Sequence, residues 1–216
     1  MTSAPHGLPL AARSEPVRYV LIDDEPAYRL ALNVPGGVDL ELAGRYGTVE
    51  AFLAIQRRRC HVVVLDLCLN RQTGDKALLQ GVRAIRQLAG ELGHRVIVYA
   101  ADERPEPVAR CVAAGARAYV SKYRDPAALA RAVDELGHQG YIVSEDLHQA
   151  LRQLAANCAD VRLSGTLEAT LAMLESGMSD VEFASRRNLS ARTIEDHKRK
   201  ILEIFGATCP AIDPAA

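Results

Sequence analysis

Up to about residue 136, apolar positions along the chain follow two rhythms that take turns. Tyr19-Val20-Leu21-Ile22, Val62-Val63-Val64-Leu65 and Val96-Ile97-Val98-Tyr99-Ala100 are short unbroken runs, with the length and β-branched content of strands buried on both faces of a parallel sheet. Val38-Asp39-Leu40-Glu41-Leu42 alternates as a half-buried strand does, and Ala118-Tyr119-Val120 is a short fifth. Between these runs the apolar spacing is helical. One helix opens at Pro26, passes Tyr28, Leu30 and Leu32, and stops at Pro35-Gly36-Gly37. Thr48 caps a second over Val49 to Arg58, and after a long polar loop a third runs from Gly81 to about Leu92. Glu106 to Ala114 closes on Gly115, and Pro126 to Leu136 is capped by Asp125. Five strands alternating with five helices predict an α/β domain, a five-stranded doubly wound parallel sheet whose crevice lies at the strand carboxyl ends.

The rhythm then changes. Gly137 to Gly140 ends the first domain, and Leu147 to Ala156 has helical spacing, which makes the connector part helix. Beyond it only helices are predicted: Leu163-Ser164 opens one to about Glu175, Ser179 caps Asp180 to Arg187, and Leu189-Ser190 starts Ala191 to Phe205. Three short helices with a tight turn between the last two form a small all-α helix-turn-helix domain. The expected organisation is a disordered leader at 1–16, the α/β domain at 17–138, a partly helical linker at 139–160, the helix-turn-helix at 161–209, and a tail at 210–216.

Composition changes this picture little. With 49% hydrophobic and 25% charged residues the chain is an ordinary globular protein, and no apolar run approaches membrane-spanning length, so a soluble, cytoplasmic protein without membrane contact is expected. Its 5 cysteines are scattered without a C-x-x-C pair and read as reduced thiols, neither disulfides nor a zinc site. A net charge of −1 gives no global sign of polyanion binding, and acids and bases nearly balance from Val161 onward.

Candidate chemistry sits at the strand ends. The first strand ends in Asp23-Asp24 and the third in Asp66, while the fifth is followed by Lys122. Three carboxylates at one sheet edge make a site for a hard divalent cation such as Mg²⁺. No acid–base group other than these carboxylates and Lys122 converges on the crevice, so a free-standing hydrolase is not expected.

This set at this spacing resembles the receiver domain of two-component response regulators, over roughly residues 16 to 138. The resemblance implies a flavodoxin-like sheet, Asp66 as phosphoacceptor, Asp23 and Asp24 as Mg²⁺ ligands with Asp66 and the backbone carbonyl of Cys68, and Lys122 on the phosphoryl oxygens. The chemistry is sound: phosphoryl transfer between anions needs cations to offset charge repulsion. Two features depart from the family. Ala100 stands where a Ser or Thr hydroxyl normally meets the phosphoryl group, opposite Tyr119, which matches the switch aromatic. The loop after Asp66 has Asn70 and Gly74 in place of the usual Pro and Gly, and Gly81 fits better as the family glycine, implying an insertion of about seven residues near Arg71 to Ala77. Both departures predict weakened switching.

Residues 163 to 207 resemble the C-terminal domain of LuxR/NarL-type regulators through Leu163-Ser164, Gly177-Met178-Ser179-Asp180, Leu189-Ser190, Arg192-Thr193-Ile194, His197 and Ile201. The resemblance implies that the helix from Ser190 enters the DNA major groove, with Arg192, Thr193, Lys198, Arg199 and Lys200 contacting phosphates and base edges. His197 is expected to be structural or to touch phosphate. Glu195 replaces a residue that is often basic, and it is placed to read cytosine amino groups. Asn188 replaces the usual turn glycine and tolerates left-handed φ, while Ser164 lacks the glutamate that would complete a capping box. The expected function is a non-enzymatic DNA-binding transcriptional regulator, a homodimer receiving phosphate from a sensor histidine kinase. The alternative is a protein-interaction regulator whose degenerate helix-turn-helix does not bind DNA. Glu195, Asp196 and the neutral charge favour that alternative, whereas Arg192, Thr193 and the run from Lys198 to Lys200 disfavour it.

Overall fold

The structure is a computed structural model and describes residues 15–26, 39–55, 60–69, 74–139, 145–157, 161–176 and 178–208. Five strands, β1 (Val17–Ile22), β2 (Leu40–Tyr46), β3 (Val62–Leu65), β4 (Arg95–Ala100) and β5 (Ala118–Ser121), form one parallel sheet in the order β2-β1-β3-β4-β5. Alternate strand residues divide between the two faces. Val20, Ile22, Val63, Leu65, Val96, Val98 and Tyr119 enter one apolar cluster, and Tyr19, Leu21, Val62, Val64, Ile97, Tyr99 and Val120 enter the other. Burial on both faces explains why the central strands read as continuous apolar runs.

The described helices are α1 (Val49–Ile55), α2 (Gly74–Ile85), α3 (Pro105–Ala113), α4 (Pro126–Gln139), the linker helix α5 (Glu145–Asn157), and α6 (Gly165–Glu175), α7 (Asp180–Arg187) and α8 (Ala191–Thr208). Caps form where the sequence offers them. Thr48 Oγ1 accepts the Ala51 N–H, Asp125 Oδ1 that of Ala127, and Ser179 Oγ that of Glu182. Asn188 closes α7 at φ 54°, ψ 46°, the left-handed position expected of it. Ser164 precedes α6 with no side-chain cap bond.

Three expectations need correction. The edge strand is Leu40–Tyr46, not Val38 to Leu42, because its limits are set by pairing with β1, from Val17 opposite Leu40 to Ile22 opposite Tyr46, with a bulge in between. The third helix starts at Gly74, in the middle of the stretch expected to be a long loop before Gly81. Ala77 and Leu78 are buried at helical spacing ahead of Val82 and Ile85. Gly81 is therefore inside α2, where a Cβ would lie 2.5 Å from Leu67 Cδ2; its role is close approach to the segment after Asp66. α2 continues as π-helix over Arg86–Glu91. The helix expected from Pro26 through Leu32, the leader and the tail lie outside the described residues.

The apolar cluster on the α1–α3 side of the sheet continues without a break through Leu147, Leu151 and Leu154 of α5 into Leu167, Met173, Phe183, Ile194, Ile201, Leu202 and Phe205. α3 packs against both α5 and α8, so the C-terminal helices share a core with the sheet domain.

On the opposite side, α4 crosses β1 at Gly137, where a Cβ would stand 2.2 Å from Val17 Cγ1 and 3.0 Å from its Cβ. Alanine gains about 1 kcal/mol of helix propensity over glycine, but overpacking a rigid β-branched neighbour costs about 1–3 kcal/mol. Gly137→Ala is expected to lower the thermal midpoint by several degrees, and an unchanged or raised midpoint would show that β1 yields freely.

Candidate functional site

Strand pairing brings the carboxylates together. β1 lies beside β3; the Asp23 N–H donates to Tyr46 O at 3.0 Å and the Asp66 N–H to Ile22 O at 2.9 Å, so both residues continue the ladder past the strand ends. Asp23 and Asp66 are 0% and 3% exposed. Oxygens of Asp23, Asp24 and Asp66 lie within 4.8 Å of one another, the geometry of a metal-ligating trio. From β5, the Lys122 N–H donates to Ala100 O at 2.8 Å, and Lys122 Nζ bridges Asp23 Oδ2 at 3.0 Å and Asp66 Oδ2 at 3.1 Å.

Burial pushes the Asp66 carboxyl above the ordinary range; Lys122 opposes that shift and Asp23 adds to it. Burial works to lower the Lys122 ammonium, but Asp66 and Asp23 outweigh it and the net shift is upward. Asp66 Oδ1 is buried with no hydrogen-bond partner. An orphaned anionic oxygen beside two further carboxylates is costly unless a cation or electrophile meets it, so the residues present fit a hard divalent ion. Cys68 is exposed, which leaves its side chain out of the acid cluster.

Ala100 is buried and stands opposite Ser121 in the β4–β5 register. Tyr119 is fully buried and its hydroxyl donates to Asp102 O. Ser121 Oγ donates to Glu103 Oε1 at 2.6 Å, and the Ser121 N–H donates to Asp146 Oδ2 at 3.2 Å. Sequence reasoning missed Ser121, Glu103 and Asp146; the only signal was the position of Ser121 directly before Lys122.

In the helical domain the predicted contact residues divide. Arg192 and Lys200 are exposed. Thr193 N–H donates to Ser190 Oγ at 3.1 Å, fixing the first turn of α8. His197 Nδ1 lies 3.1 Å from Thr170 Oγ1 and ties α8 to α6. Arg199 pairs with Glu203 at 2.7 Å and with Asp196 at 3.4 Å. Lys198 is only 4% exposed. Its ammonium meets Asp180 Oδ2 of α7, Glu195 Oε1 at 3.3 Å and His148 Nε2 of α5 at 2.7 Å. Glu195 and Lys198 thus point into the domain rather than toward a free groove-facing surface. Asp196, Arg199 and Leu202 of α8 line a cleft with Val112, Ala116 and Arg117 from the end of α3 and the turn that follows it.

No protein-family model matches the chain. Over 198 residues it is 26% identical to the Fimbriae Z protein of Salmonella typhimurium, covering 89% of this chain and 91% of that protein. It is likewise 26% identical to the DNA-binding transcriptional activator DevR/DosR of Mycobacterium tuberculosis, covering 88% of each. Both alignments extend across the sheet domain and the helical domain of this chain. The chain is similar over most of its length to transcriptional regulatory proteins of the response-regulator kind. Among solved structures, the RcsB response regulator in its DNA complex superposes with a TM-score of 0.56 at 19% identity, covering 92% of this chain and 96% of that one. A LuxR-family response regulator of Aurantimonas gives 0.53 at 23% identity, covering 66% of this chain. The likeness to RcsB runs across both the sheet domain and the helical domain, and that to the Aurantimonas protein across about two thirds of the chain.

On α8, burial raises the Glu195 carboxyl to about 7; Lys198 opposes the shift and Asp180 reinforces it. A raised carboxyl contributes stability that is complete below its ordinary range and lost as pH rises through about 7. Glu195→Gln is therefore expected to match the parent near pH 5 and to exceed its thermal midpoint at pH 8 by about 2–4 °C, on the order of 1 kcal/mol. A lower midpoint than the parent at pH 8 would show that the ion pair with Lys198 outweighs desolvation.

Proposed function

We propose that this response regulator is a DNA-binding transcriptional regulator, cytoplasmic and homodimeric, whose receiver accepts a phosphoryl group on Asp66. The observation that carries the reading is the open, buried Oδ1 of Asp66 beside an ammonium already bridging Asp66 and Asp23. An Asp66 oxygen attacks phosphorus, an acyl phosphate forms, and the bond to the donor's leaving atom breaks. Asp23, Asp24, Asp66 and the backbone carbonyl of Cys68 would hold Mg²⁺, which supplies charge neutralisation between the carboxylate and the phosphoryl group. Lys122 is positioned to follow the equatorial phosphoryl oxygens. The donor in the cell is a sensor histidine kinase.

Arg192 and Lys200, exposed on α8, and Arg199 beside them supply phosphate contacts, with Thr193 at the helix start. The relatives' names support this output. One is a DNA-binding transcriptional activator, and RcsB has been solved as dimers on DNA. Two copies on a near-palindromic site multiply a weak single-domain affinity. The chain's small net charge of −1 makes its non-specific binding weak and steeply salt-dependent.

Incubation with acetyl phosphate and Mg²⁺ is expected to add one phosphoryl mass to the intact protein. Asp66→Asn removes the modification, and Lys122→Ala slows it by about tenfold or more. Fluorescence anisotropy on the DNA upstream of the protein's own coding region, over a salt series, is expected to show saturable binding that Arg192→Ala weakens. An unmodified parent protein overturns the receiver assignment, and no binding at low salt overturns the DNA output.

A further inference from the structure

The segment beside the receiver site and the recognition helix each make a polar contact with the first turn of α5. Asp146 in that turn accepts the Ser121 N–H through Oδ2 at 3.2 Å, and its Oδ1 pairs with Arg124 Nη2 at 3.2 Å. Ser121 directly precedes Lys122, whose ammonium holds Asp66. Two residues beyond Asp146, His148 Nε2 lies 2.7 Å from Lys198 Nζ on α8. Residues two apart on a helix project about 200° from each other, so Asp146 faces the receiver while His148 faces the recognition helix. Leu147, Ala150, Leu151 and Leu154 are buried among both domains and hold α5 as a rigid piece.

We propose that α5 is the transmission element of this regulator, with Asp146 reading the Ser121–Lys122 segment and His148 holding Lys198 until the receiver is modified. The proposal rests on Asp66 as the phosphoryl acceptor and assigns how that site is regulated. Ala100 offers no hydroxyl to a phosphoryl group, and the Tyr119 hydroxyl is already committed to Asp102 O. The backbone at Ser121 adjoins Lys122 and touches α5 through Asp146. When Lys122 turns from Asp23 toward phosphoryl oxygens, the Ser121 N–H shifts against Asp146. The first turn of α5 follows, and the His148–Lys198 bond is lost. Packed elements of this kind move between discrete arrangements. Asp180 and Glu195 remain with Lys198 and help it turn outward as an intact cation.

Lysine labelling with an amine-acetylating reagent, read by peptide mass spectrometry on the full chain, tests this directly. In the parent, Lys198 is expected to be protected and Lys200, with a side chain 59% exposed, to be reactive. Asp146→Ala is expected to raise Lys198 labelling about fivefold, the scale of a modest coupling, with Lys200 unchanged. Asp146→Asn, which keeps an oxygen for the Ser121 N–H but loses the charge facing Arg124, is expected to fall between. Labelling of buried Lys122 reports any loss of the receiver fold, and if the alanine variant unfolds, the asparagine variant decides. Treatment of the parent with acetyl phosphate and Mg²⁺ is expected to raise Lys198 labelling. Both Asp146 variants should accept phosphate at the parental rate, the alanine variant with no further rise in Lys198 labelling and the asparagine variant with a smaller rise than the parent. Unchanged Lys198 labelling in the folded variants, or in phosphorylated parent, overturns the route. A parent that takes up no phosphate overturns the receiver assignment instead, and the unmodified variants still decide whether α5 holds Lys198.

Discussion

Everything at the receiver end depends on one ammonium shared between two buried carboxylates. Lys122 Nζ lies 3.0 Å from Asp23 and 3.1 Å from Asp66, and neither acid is hydrated well enough to stand alone. Removing one partner of such a group typically costs about 3–5 kcal/mol. The sheet therefore has to deliver β1, β3 and β5 to the same edge in register, and the continuous apolar runs of the central strands supply the adhesion that does so. Within this cluster, Asp66 Oδ1 is buried without a hydrogen-bond partner. A site whose cations and anions are held in place, with a single anionic lone pair open, is preorganised for an electrophile.

The helical domain repeats the device. Lys198 is as deeply buried as Lys122 and is also surrounded by acids, here Asp180 and Glu195, with His148 as a third partner from the linker. Each domain thus centres on a buried lysine whose position is set by groups from several elements, and α5 touches the neighbourhood of both. The cleft between α3 and α8, lined by Val112, Arg117, Asp196 and Arg199, places one side of α8 against the sheet domain and leaves Arg192 and Lys200 exposed. Regulator and output are accordingly one packed body in this arrangement, sharing a continuous apolar core.

Much of this was legible in the chain. Strand ends bearing Asp23-Asp24, Asp66 and Lys122 were readable because an acid after a both-faces-buried strand has only the sheet edge to go to. Ser179 and Asn188 announced the limits of α7 through cap chemistry, which is local. The start of α2 was misplaced because the stretch near Arg71 to Ala77 was taken as an inserted loop and Gly81 as the helix opening. Yet Ala77, Leu78, Gly81, Val82 and Ile85 share one helical face, and Gly81 is small because Leu67 lies on it. β2 slipped because an edge strand's limits come from its partner. Lys198 and Glu195 were expected at the DNA through the family resemblance of the helix that carries them. The spacing argued otherwise: Lys198 falls four residues after Ile194 and three before Ile201, on the face that α8 buries. Ser121 and Asp146 were invisible because their meeting is a long-range backbone contact with no sequence pattern.

The absent hydroxyl at Ala100 changes meaning in this context. A relay that depends on a side chain at the end of β4 has no donor here, and from the sequence alone that reads as a weakened switch. The structure holds the same segment from the opposite strand: Ala100 faces Ser121 in register, Ser121 bonds Glu103 through its hydroxyl and Asp146 through its N–H, and Tyr119 is fixed to Asp102. Couplings between sites are typically about 1–3 kcal/mol, which is the worth of one or two hydrogen bonds to charged groups. The Asp146 contact, a carboxylate accepting a backbone N–H, is of that size. No large rearrangement of the sheet is then needed for the receiver to bias α8, since displacing one such bond at the end of β5 supplies a coupling of the required magnitude.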